Sequence, residues 1–379
     1  MAKSLAVALL AGILVAWTPR YWGVSIAVLC VSLVAAVWAF TARNIRLPLH
    51  TILVIPIGAW PAMQLAAHST LVRWPTTLSC MAWGMGASSF ILGSQILRGR
   101  PNREAFLTLM MRAATVLAVA AMLQMYATPG KLFGLLPVGN SVVGTLFYKN
   151  QFAAMMELAA PIALWKVYQG EVLSGGLCYA AMFSATVSSA SRMGVLLVLA
   201  ESAVFVILMV AARRMPLKSA ASIAAALALL IAGASMVAGT EKIWSRFQEP
   251  GPYALREMIV QSTLRMIPLY PWFGSGMGTW PALYPEFATF DAGFYINEAH
   301  NDWAQWTIEG GIPFALLLAA LVVLLARPAT RSVWGLGVVS VMIHAFVDYP
   351  LREPVLLFLW FVLAGALTQT RRLSLRVRD

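Results

Sequence analysis

The feature that most constrains this chain is a succession of long apolar segments along most of its length. A bilayer core about 30 Å thick needs roughly 20 apolar residues per helix, and twelve segments approach that length. The first and the eleventh are the shortest of them. The candidate spans lie near residues 4–18, 21–40, 47–66, 76–97, 105–126, 151–169, 172–189, 193–212, 219–238, 303–326, 332–347 and 354–370.

The composition supports this interpretation. The chain is 60% apolar and only 11% charged, whereas soluble domains are about 45–50% apolar and about 25% charged. The sequence therefore predicts an all-α polytopic membrane protein, with residues 1–379 forming a single integral membrane domain. No small-residue cleavage site follows the first apolar segment, so we expect an uncleaved first helix rather than a secretory signal.

The net charge of +12 would suit an anionic partner, but the placement of the basic residues indicates membrane topology instead. With a cytoplasmic N-terminus, the inner loops and tails carry 16 of the 27 basic residues and the short outer loops carry six. This bias follows the positive-inside rule, places both termini in the cytoplasm and requires no nucleic acid partner. The inner residues are Lys3, Arg43, Arg46, Arg98, Arg100, Arg103, Lys166, Arg213, Arg214, Lys218, Arg327, Arg331, Arg371, Arg372, Arg376 and Arg378.

Two outer segments are longer than a simple connection requires. Residues 127–150 are rich in Gly and Pro, and we expect them to be partly re-entrant. Residues 239–302 form the largest extramembrane region, and their many aromatic residues argue against disorder. We therefore expect a folded outer loop within the membrane domain.

The stretch FYINEAHNDWAQWTIEGGIPF, residues 294–314, concentrates polar residues at the start of an apolar segment. Asp302 followed by Gln305 is typical of a capping box, so His300 and Asn301 are expected just outside a helix N-terminus. Glu309 would then lie roughly 10 Å below the surface, where polar residues usually face a cavity or a partner. Gly310, Gly311 and Pro313 are expected to interrupt the helix just below it. The alternative is an ordinary helix end anchored by interfacial tryptophans.

The preceding segment predicts an amphipathic helix on the outer surface. Leu255, Met258, Ile259, Met266 and Ile267 follow helical spacing, with a weak turn expected at residues 262–263. Arg256 and Arg265 on this helix are nine residues apart, about half a turn out of phase, so we expect one to face a site and the other to face solvent. The later WFGSGMGTW lacks the lysine of a phosphate-binding loop, so nucleotide binding is not predicted.

Two further segments carry basic residues at the outer ends of apolar spans. Arg192 lies between two spans with almost no loop around it, and a planar guanidinium there suits a phosphate. The alternative for Arg192 is a salt bridge to a buried acid such as Glu157. Lys149 and Asn150 open another span, either as interfacial anchors or as part of a site.

The remaining polar groups suggest structural roles. His344 and Asp348 are four residues apart near the end of the eleventh span, and we expect them to pair with each other. Cys30, Cys80 and Cys178 fall in apolar runs without CxxC spacing, so neither a disulfide framework nor a zinc site is supported. No pair of acids has the spacing of a metal site, so a metal-independent mechanism is predicted.

Five short motifs in order resemble the O-antigen ligase and O-antigen polymerase superfamily. HNDWAQWTIEGGIPF is similar to that family's signature of His-Asn, nine residues and Gly, with His300, Asn301 and Gly311 at the matching positions. The other motifs are YKNQFAAMMELAAPIAL, SSASRMGVLL, an arginine ahead of YPWFGSGMGTWPALYPEF, and HAFVDYPLREP. The resemblance covers about residues 144–367.

This resemblance implies a GT-C-type glycosyltransferase that takes a glycan from undecaprenyl diphosphate at the periplasmic face of the bacterial inner membrane, without a cofactor. The family's essential basic residues match Arg192, Arg256 and His300. The two arginines would clamp the diphosphate by charge-assisted hydrogen bonds, and His300 would accept the proton of the attacking hydroxyl. The further candidates for substrate binding are Asn150, Asn301, Glu309, Lys149 and Arg265.

The leading hypothesis is thus an inverting transferase whose other partners are membrane lipids and a saccharide acceptor. The acceptor would define the type of enzyme. With a growing chain as acceptor it would be a polymerase, and with a lipid A core sugar it would be a ligase in lipopolysaccharide biosynthesis. With a pilin or another protein as acceptor it would be an oligosaccharyltransferase. A flippase or transporter of the same lipid-linked glycan is the main alternative, and it would place essential charges near the midplane or the inner face. An assembly scaffold is a third.

Overall fold

The computed structural model describes residues 1–369 except 19, 133, 138–143, 147, 212–215, 239–243, 245–247, 249–253 and 292. Several sequence predictions therefore lie outside the described residues. They concern the inner positions Arg213 and Arg214, the basic tail from residue 370 onward, and parts of the two long outer segments.

The described part is almost entirely helical, and a helix lies at each of the twelve predicted positions. The first nine helices are α1 (Ala2–Val15), α2 (Arg20–Thr41), α3 (Thr51–Ala66), α4 (Arg73–Ile96), α5 (Arg100–Ala127), α6 (Lys149–Tyr168), α7 (Val172–Ser188), α8 (Arg192–Ala211) and α9 (Leu217–Ala238). The others are α10 (Ala254–Met266), α11 (Trp280–Leu283), α12 (Asp302–Ser332), α13 (Leu336–His344) and α14 (Pro354–Thr368). Single turns of 3₁₀ helix lie at Ile267–Leu269, Tyr284–Glu286 and Pro350–Arg352.

Four of the described helices are long and apolar enough to cross a membrane: Trp22–Thr41 within α2, α5, α8 and α12. Four shorter helices, α1, α3, α7 and α14, are also apolar. These helices support the prediction of a membrane protein. The full count of twelve crossings stays a prediction.

Two helices, α6 and α14, form the centre of the bundle. All residues of α14 from Pro354 to Leu367 are buried, which explains why its sequence is apolar on every side. Gly93 of α4 and Gly365 of α14 lie against the partner helix's backbone, where an added Cβ would overlap main-chain atoms. Because small residues let helix backbones approach closely, these two glycines set the spacing of α4 and α14.

Helix α12 is broken at Gly311, where the sequence predicts an interruption. Gly311 has φ 82° and ψ 168°, which is outside the helical region. Pro313 follows at the start of the second half, where its fixed φ is compatible with a new helix. The part of α12 that begins at Asp302 is therefore a short separate rod next to the long apolar part.

The segment 271–277 satisfies the backbone groups that this break releases. The N–H groups of Ser275 and Gly276 donate to the carbonyls of Ile308 and Glu309 at 2.8 and 3.1 Å. The side chain of Gln64 donates to the same Glu309 carbonyl at 2.7 Å. Because unpaired backbone groups are costly in a membrane, this glycine-rich segment serves as the support of the bend.

The predicted amphipathic helix is α10, and it differs from the prediction in one respect. The turn expected at residues 262–263 is wrong, because α10 continues without a break to Met266. Thr263 donates to the carbonyl of Ile259 and accepts from the indole N–H of Trp280 at 3.0 Å, so its hydroxyl is satisfied inside the helix. Ile259 and Met266 are buried, whereas Leu255 lies on the exposed side.

The described part of the other outer segment contains a small hairpin. Strand β1 (Lys131–Leu132) pairs antiparallel with β2 (Leu136–Pro137). Much of the rest of residues 127–150 lies outside the described residues, so the re-entrant path stays a prediction.

We predict that Gly311→Ala destabilises the protein by at least about 2 kcal/mol, because a left-handed backbone strains any residue with a Cβ. At this position the added Cβ would also overlap the carbonyl of Trp272. Thermal unfolding in detergent measures the effect. Gly176→Ala in α7 is the matched control, since a Cβ there meets no atom within 4 Å. Equal melting temperatures for the two variants would show that the bend is not required.

Candidate functional site

A buried carboxylate, Asp348, joins side chains from separate parts of the chain. It lies in the loop between α13 and α14, with 1% of its side chain exposed. Arg256 of α10 lies 3.0 Å from Oδ2, the hydroxyl of Tyr148 donates to Oδ2 at 3.2 Å, and Asn150 of α6 donates to the same oxygen. Nδ1 of His300 lies 3.6 Å from Oδ1, a distance longer than a hydrogen bond. Asp348 thus lies at the centre of the candidate site.

The guanidinium of Arg256 is held in a fixed orientation. In addition to Asp348, it donates to the carbonyl of Val347 at 3.0 Å and to the hydroxyl of Tyr148 at 3.1 Å. The ring of Tyr148 stacks on Tyr349 with centroids 4.8 Å apart, and His300 meets Tyr349 edge to face at 5.0 Å. An arginine fixed in this way loses little further side-chain freedom when it binds a ligand.

The surroundings of Asp348 favour its charged form. Burial alone would raise its pKa, but His300 and the positive charge of Arg256 hold the pKa below its usual value. Burial and the charge of Asp348 raise the pKa of Tyr148, so that hydroxyl stays protonated and remains a donor. At neutral pH the site therefore contains one fixed anion opposite its cations.

Beside Asp348 lies a small pocket where two helices begin. It is lined by Lys149, Asn150, Arg192, Arg256, His344 and Asp348, among others. Three of these side chains are cationic and one is a carboxylate, which leaves a formal charge of +2 without the histidine. Helix α6 starts at Lys149 and α8 at Arg192, and a helix N-terminus carries partial positive charge. The pocket is therefore suited to an anion with more than one negative charge.

His300 precedes α12 in a left-handed conformation, with φ 53°. Asn301 is the N-cap of α12, and its Oδ1 accepts from the N–H of Ala304 at 2.9 Å. The helix thus starts one residue from where the sequence predicts, since the cap is Asn301 rather than Asp302. Gln305 accepts from the N–H of Ala299 instead of completing a capping box. With Nδ1 facing Asp348, Nε2 of His300 is the nitrogen left to accept a proton.

A second ionic cluster surrounds Arg352, which is 10% exposed. Its Nε lies 3.1 Å from Asp302 and 3.6 Å from Glu298, and its Nη1 lies 2.9 Å from Glu309. Gln305 donates to Glu298 at 2.8 Å and to Glu309 at 3.2 Å. Glu309, predicted as a substrate-binding residue, is thus engaged by protein groups, and the cluster fixes the start of α12 against the 3₁₀ turn.

The expectation that His344 and Asp348 pair with each other is wrong. His344 Nδ1 lies 2.7 Å from Oε1 of Glu157 on α6, and both side chains are fully buried. Asp348 faces Arg256 instead, because the chain leaves the helix after His344 and the two side chains diverge. His344, rather than Arg192, forms the hydrogen bond with Oε1 of Glu157. The structure therefore does not show the alternative ion pair between Arg192 and Glu157 at that oxygen.

The structure separates the two arginines of α10. Arg256 reaches Asp348, whereas Arg265 is exposed on the other side of the helix. This agrees with the expectation that only one of them faces a site. Of the predicted site residues, Arg192, Arg256, Lys149 and Asn150 line one pocket, and His300 contacts Asp348 at its edge.

Sequence reasoning missed Tyr148, Asp348, Tyr349 and Arg352 as members of the site region. The signal that was available is the segment DYPLREP, which has two acids and an arginine between apolar spans where a short turn would suffice. Their partners lie far away along the chain, for example Asp302, 50 residues from Arg352, and Tyr148, 200 residues from Asp348. No local pattern contains such pairings.

An apolar cavity of about 300 Å³ opens on the other side of the 3₁₀ turn. It lies between the N-terminal parts of α2, α4 and α14, with Leu78, Trp83, Trp306 and Leu357 among its lining residues. Arg352 also lines it, and among the described residues its Nη2 has no hydrogen-bond partner. The cavity is suited to an apolar group that carries a hydrogen-bond acceptor at one end.

Comparison with known proteins agrees with the resemblance of the motifs. A family model described as O-antigen ligase matches residues 177–319, which include Arg192, Arg256 and His300. No curated protein matches the chain.

We predict that Arg352→Gln lowers the free energy of unfolding by about 3–5 kcal/mol, because removal of one partner leaves buried charges uncompensated. Thermal unfolding in detergent, monitored by tryptophan fluorescence, measures the loss. Arg331→Gln is the control, since Arg331 is exposed in the last turn of α12. An Arg352→Gln protein as stable as the control would show that the three carboxylates do not depend on this cation.

Proposed function

We propose that this chain, a member of the O-antigen ligase superfamily by the match over residues 177–319, transfers a glycan from undecaprenyl diphosphate to an acceptor sugar. The family supports a ligase-type or polymerase-type role in glycan transfer. The lipid-linked donor, the inversion at the anomeric carbon and the periplasmic location are the parts that we propose.

The observation that carries this proposal is the shared pocket of Arg192 and Arg256 beside Asp348 and His300. The pocket's formal charge of +2 and the N-termini of α6 and α8 complement a diphosphate. Both guanidiniums can bind phosphate oxygens in a bidentate manner. Asp348 limits the positive charge and keeps Arg256 in place when the pocket is empty.

In the proposed reaction the acceptor hydroxyl attacks the anomeric carbon opposite the diphosphate. The new bond joins the acceptor oxygen to that carbon, the bond from the carbon to the phosphate oxygen breaks, and its electron pair leaves with the diphosphate. His300 takes the hydroxyl proton on Nε2, and Asp348 stabilises the imidazolium that forms. Arg192 and Arg256 stabilise the negative charge that develops on the leaving group. The displacement inverts the anomeric centre.

The apolar cavity supports a lipid-linked donor. The cavity lies next to Arg352, which follows Asp348 of the pocket by four residues. An apolar chain in the cavity and a diphosphate in the pocket would therefore occupy neighbouring parts of the protein. We propose that the first part of the polyprenyl chain occupies this cavity. Its lining includes residues of the apolar helices α2 and α14, and we propose that the rest of the chain continues along them into the bilayer.

The ends of the helices support an outward-facing site. The pocket and its neighbours use the N-terminal ends of α6, α8 and α12 and the C-terminal end of α13. In the predicted topology all of these ends lie on the outer face, which is the periplasmic side of the inner membrane. Both termini are then cytoplasmic.

The transporter hypothesis has one feature in its favour among the described residues. Glu201 is fully buried midway along α8, where intramembrane acids often mark a transport path. Transport, however, requires two compartments, whereas transfer does not. An assay without a closed membrane therefore separates the two functions.

We predict that the purified protein in detergent micelles forms glycosylated product from an undecaprenyl-diphosphate-linked glycan and an acceptor, without ATP and in the presence of EDTA. The cations of the pocket, rather than a metal ion, would neutralise the diphosphate. Mass spectrometry of the product and of the released lipid diphosphate measures transfer. Lipid A core oligosaccharide, a second copy of the glycan and a pilin peptide are tested in parallel as acceptors. No product with any of them would contradict the proposal.

We predict that His300→Asn and Arg256→Gln fail at different steps. Asn is tolerated at the φ of 53° that His300 adopts, so this variant should fold and bind undecaprenyl diphosphate while transfer falls by about 10²–10⁴-fold. Arg256→Gln should weaken binding itself, and Arg265→Gln, at the exposed position of the same helix, should change neither. Normal transfer by His300→Asn would exclude His300 as the base.

A further inference from the structure

The polar pair His344 and Glu157 lies behind the pocket and has no role in the function proposed above. His344 is the last residue of α13, and Glu157 lies in the middle of α6. Nδ1 of His344 and Oε1 of Glu157 are 2.7 Å apart, and neither side chain is exposed. His344 also lines the pocket that contains Arg192 and Arg256.

The second nitrogen of this imidazole has no partner. Among the described residues, no group forms a hydrogen bond with Nε2 of His344. Buried polar atoms are nearly always hydrogen-bonded, and an exception calls for an explanation such as a missing ligand. Since Glu157 takes Nδ1, Nε2 is the atom of His344 that is available to a molecule in the pocket.

Burial of the pair also bears on whether Nε2 of His344 carries a hydrogen. A net negative charge on the buried pair would be costly, so the pair favours a net charge of zero. It reaches zero either as carboxylate with imidazolium or as carboxylic acid with neutral imidazole. In the ion pair both ring nitrogens carry a hydrogen, and in the neutral pair whose carboxylic acid donates to Nδ1 the ring hydrogen lies on Nε2. Nε2 of His344 is therefore a donor.

Charged groups on the neighbouring elements act on this pair from both sides. Asp348 is the anion that lines the pocket together with His344, and three cations line the same pocket. Those cations are Lys149, Arg192 and Arg256. Because the pair has no net charge, it can offer a hydrogen bond to an anion without adding to the charge of the pocket.

We propose that His344 is a further residue that binds the leaving diphosphate, with its Nε2–H donating to a phosphate oxygen and Glu157 positioning the ring. This inference rests on the proposed function, because it assigns His344 to the same donor. The hydrogen bond strengthens as the bond to the anomeric carbon breaks and negative charge grows on the diphosphate. His344 thus contributes to kcat as well as to binding, whereas Glu157 acts through the orientation of the ring.

Two substitutions test the contributions of the two ring nitrogens of His344 separately. The amide of Asn occupies the position of Nδ1, so His344→Asn keeps the contact with Glu157 and loses the donor toward the pocket. His344→Gln extends as far as Nε2 and restores a donor there. We expect His344→Asn to weaken pyrophosphate binding about tenfold or more and to lower kcat, while His344→Gln retains most of both. Isothermal titration with pyrophosphate and the transfer assay measure the two effects.

His68→Asn is the matched control for the exchange of histidine for asparagine. His68 is exposed, lies outside the pocket and has φ 52°, a conformation that Asn adopts readily. This variant should bind pyrophosphate as the original protein does. Equal binding by His344→Asn and the control would overturn the inference.

A measurement on the unchanged protein tests the inference even if the variants do not fold. The chain has four histidines, so ¹⁵N-histidine labelling gives few signals, and His344→Gln and His344→Asn identify those of His344. Pyrophosphate should shift the Nε2 signal of His344. Binding without that shift, or no binding of pyrophosphate at all, would overturn the inference.

The failures of the two proposals are distinguishable. If the unchanged protein forms no glycosylated product but pyrophosphate still shifts His344, the anion site stands and the proposed transfer fails. If transfer occurs and is equal in His344→Asn, transfer stands and the role of His344 fails.

Discussion

A carboxylate almost out of contact with solvent keeps its charge only while a cation faces it, and Asp348 meets this condition through Arg256. This constraint organises the part of the protein around Asp348. Arg256 belongs to α10, and His300 immediately precedes the cap of α12. The ion pair with Arg256 ties α10 to the loop that carries Asp348, and His300 lies beside the same carboxylate. The residues that would perform chemistry are thus placed by an interaction that exists without substrate.

The architecture supplies the rest of the pocket through helix ends rather than through a flexible loop. Lys149 and Arg192 are the first residues of α6 and α8, so both their side chains and the backbone N–H groups behind them face the same space. Helix α6 is buried along nearly its whole length, which fixes its starting point. On the other side, Arg352 and its three carboxylates hold the start of α12. A site built on such rigid elements needs little rearrangement to receive a charged ligand.

Much of the helical framework could be predicted from the sequence, because a helix in lipid must be long and apolar and these properties are local. The break at Gly311 was predicted for the same reason, since two glycines and a proline occur within four residues. The opposite phases of Arg256 and Arg265 also followed from helical periodicity. The partners of Asp348, Arg352 and His344 could not be predicted, because periodicity does not specify which helix a polar face meets. The start of α12 could be predicted only to within one residue, because Asn301 and Asp302 are both suitable N-caps and only tertiary contacts decide between them.

The central position of α14 has a consequence for assembly in the bilayer. This helix follows all the other described helices along the chain, yet α4 packs against it more extensively than against any other partner. The chain of α4 is synthesised more than 250 residues before that of α14. Until then the glycine surface of α4 at Gly93 has no final neighbour. The earlier described helices therefore lack their central packing partner until α14 has been made, so the bundle can become compact only late in synthesis.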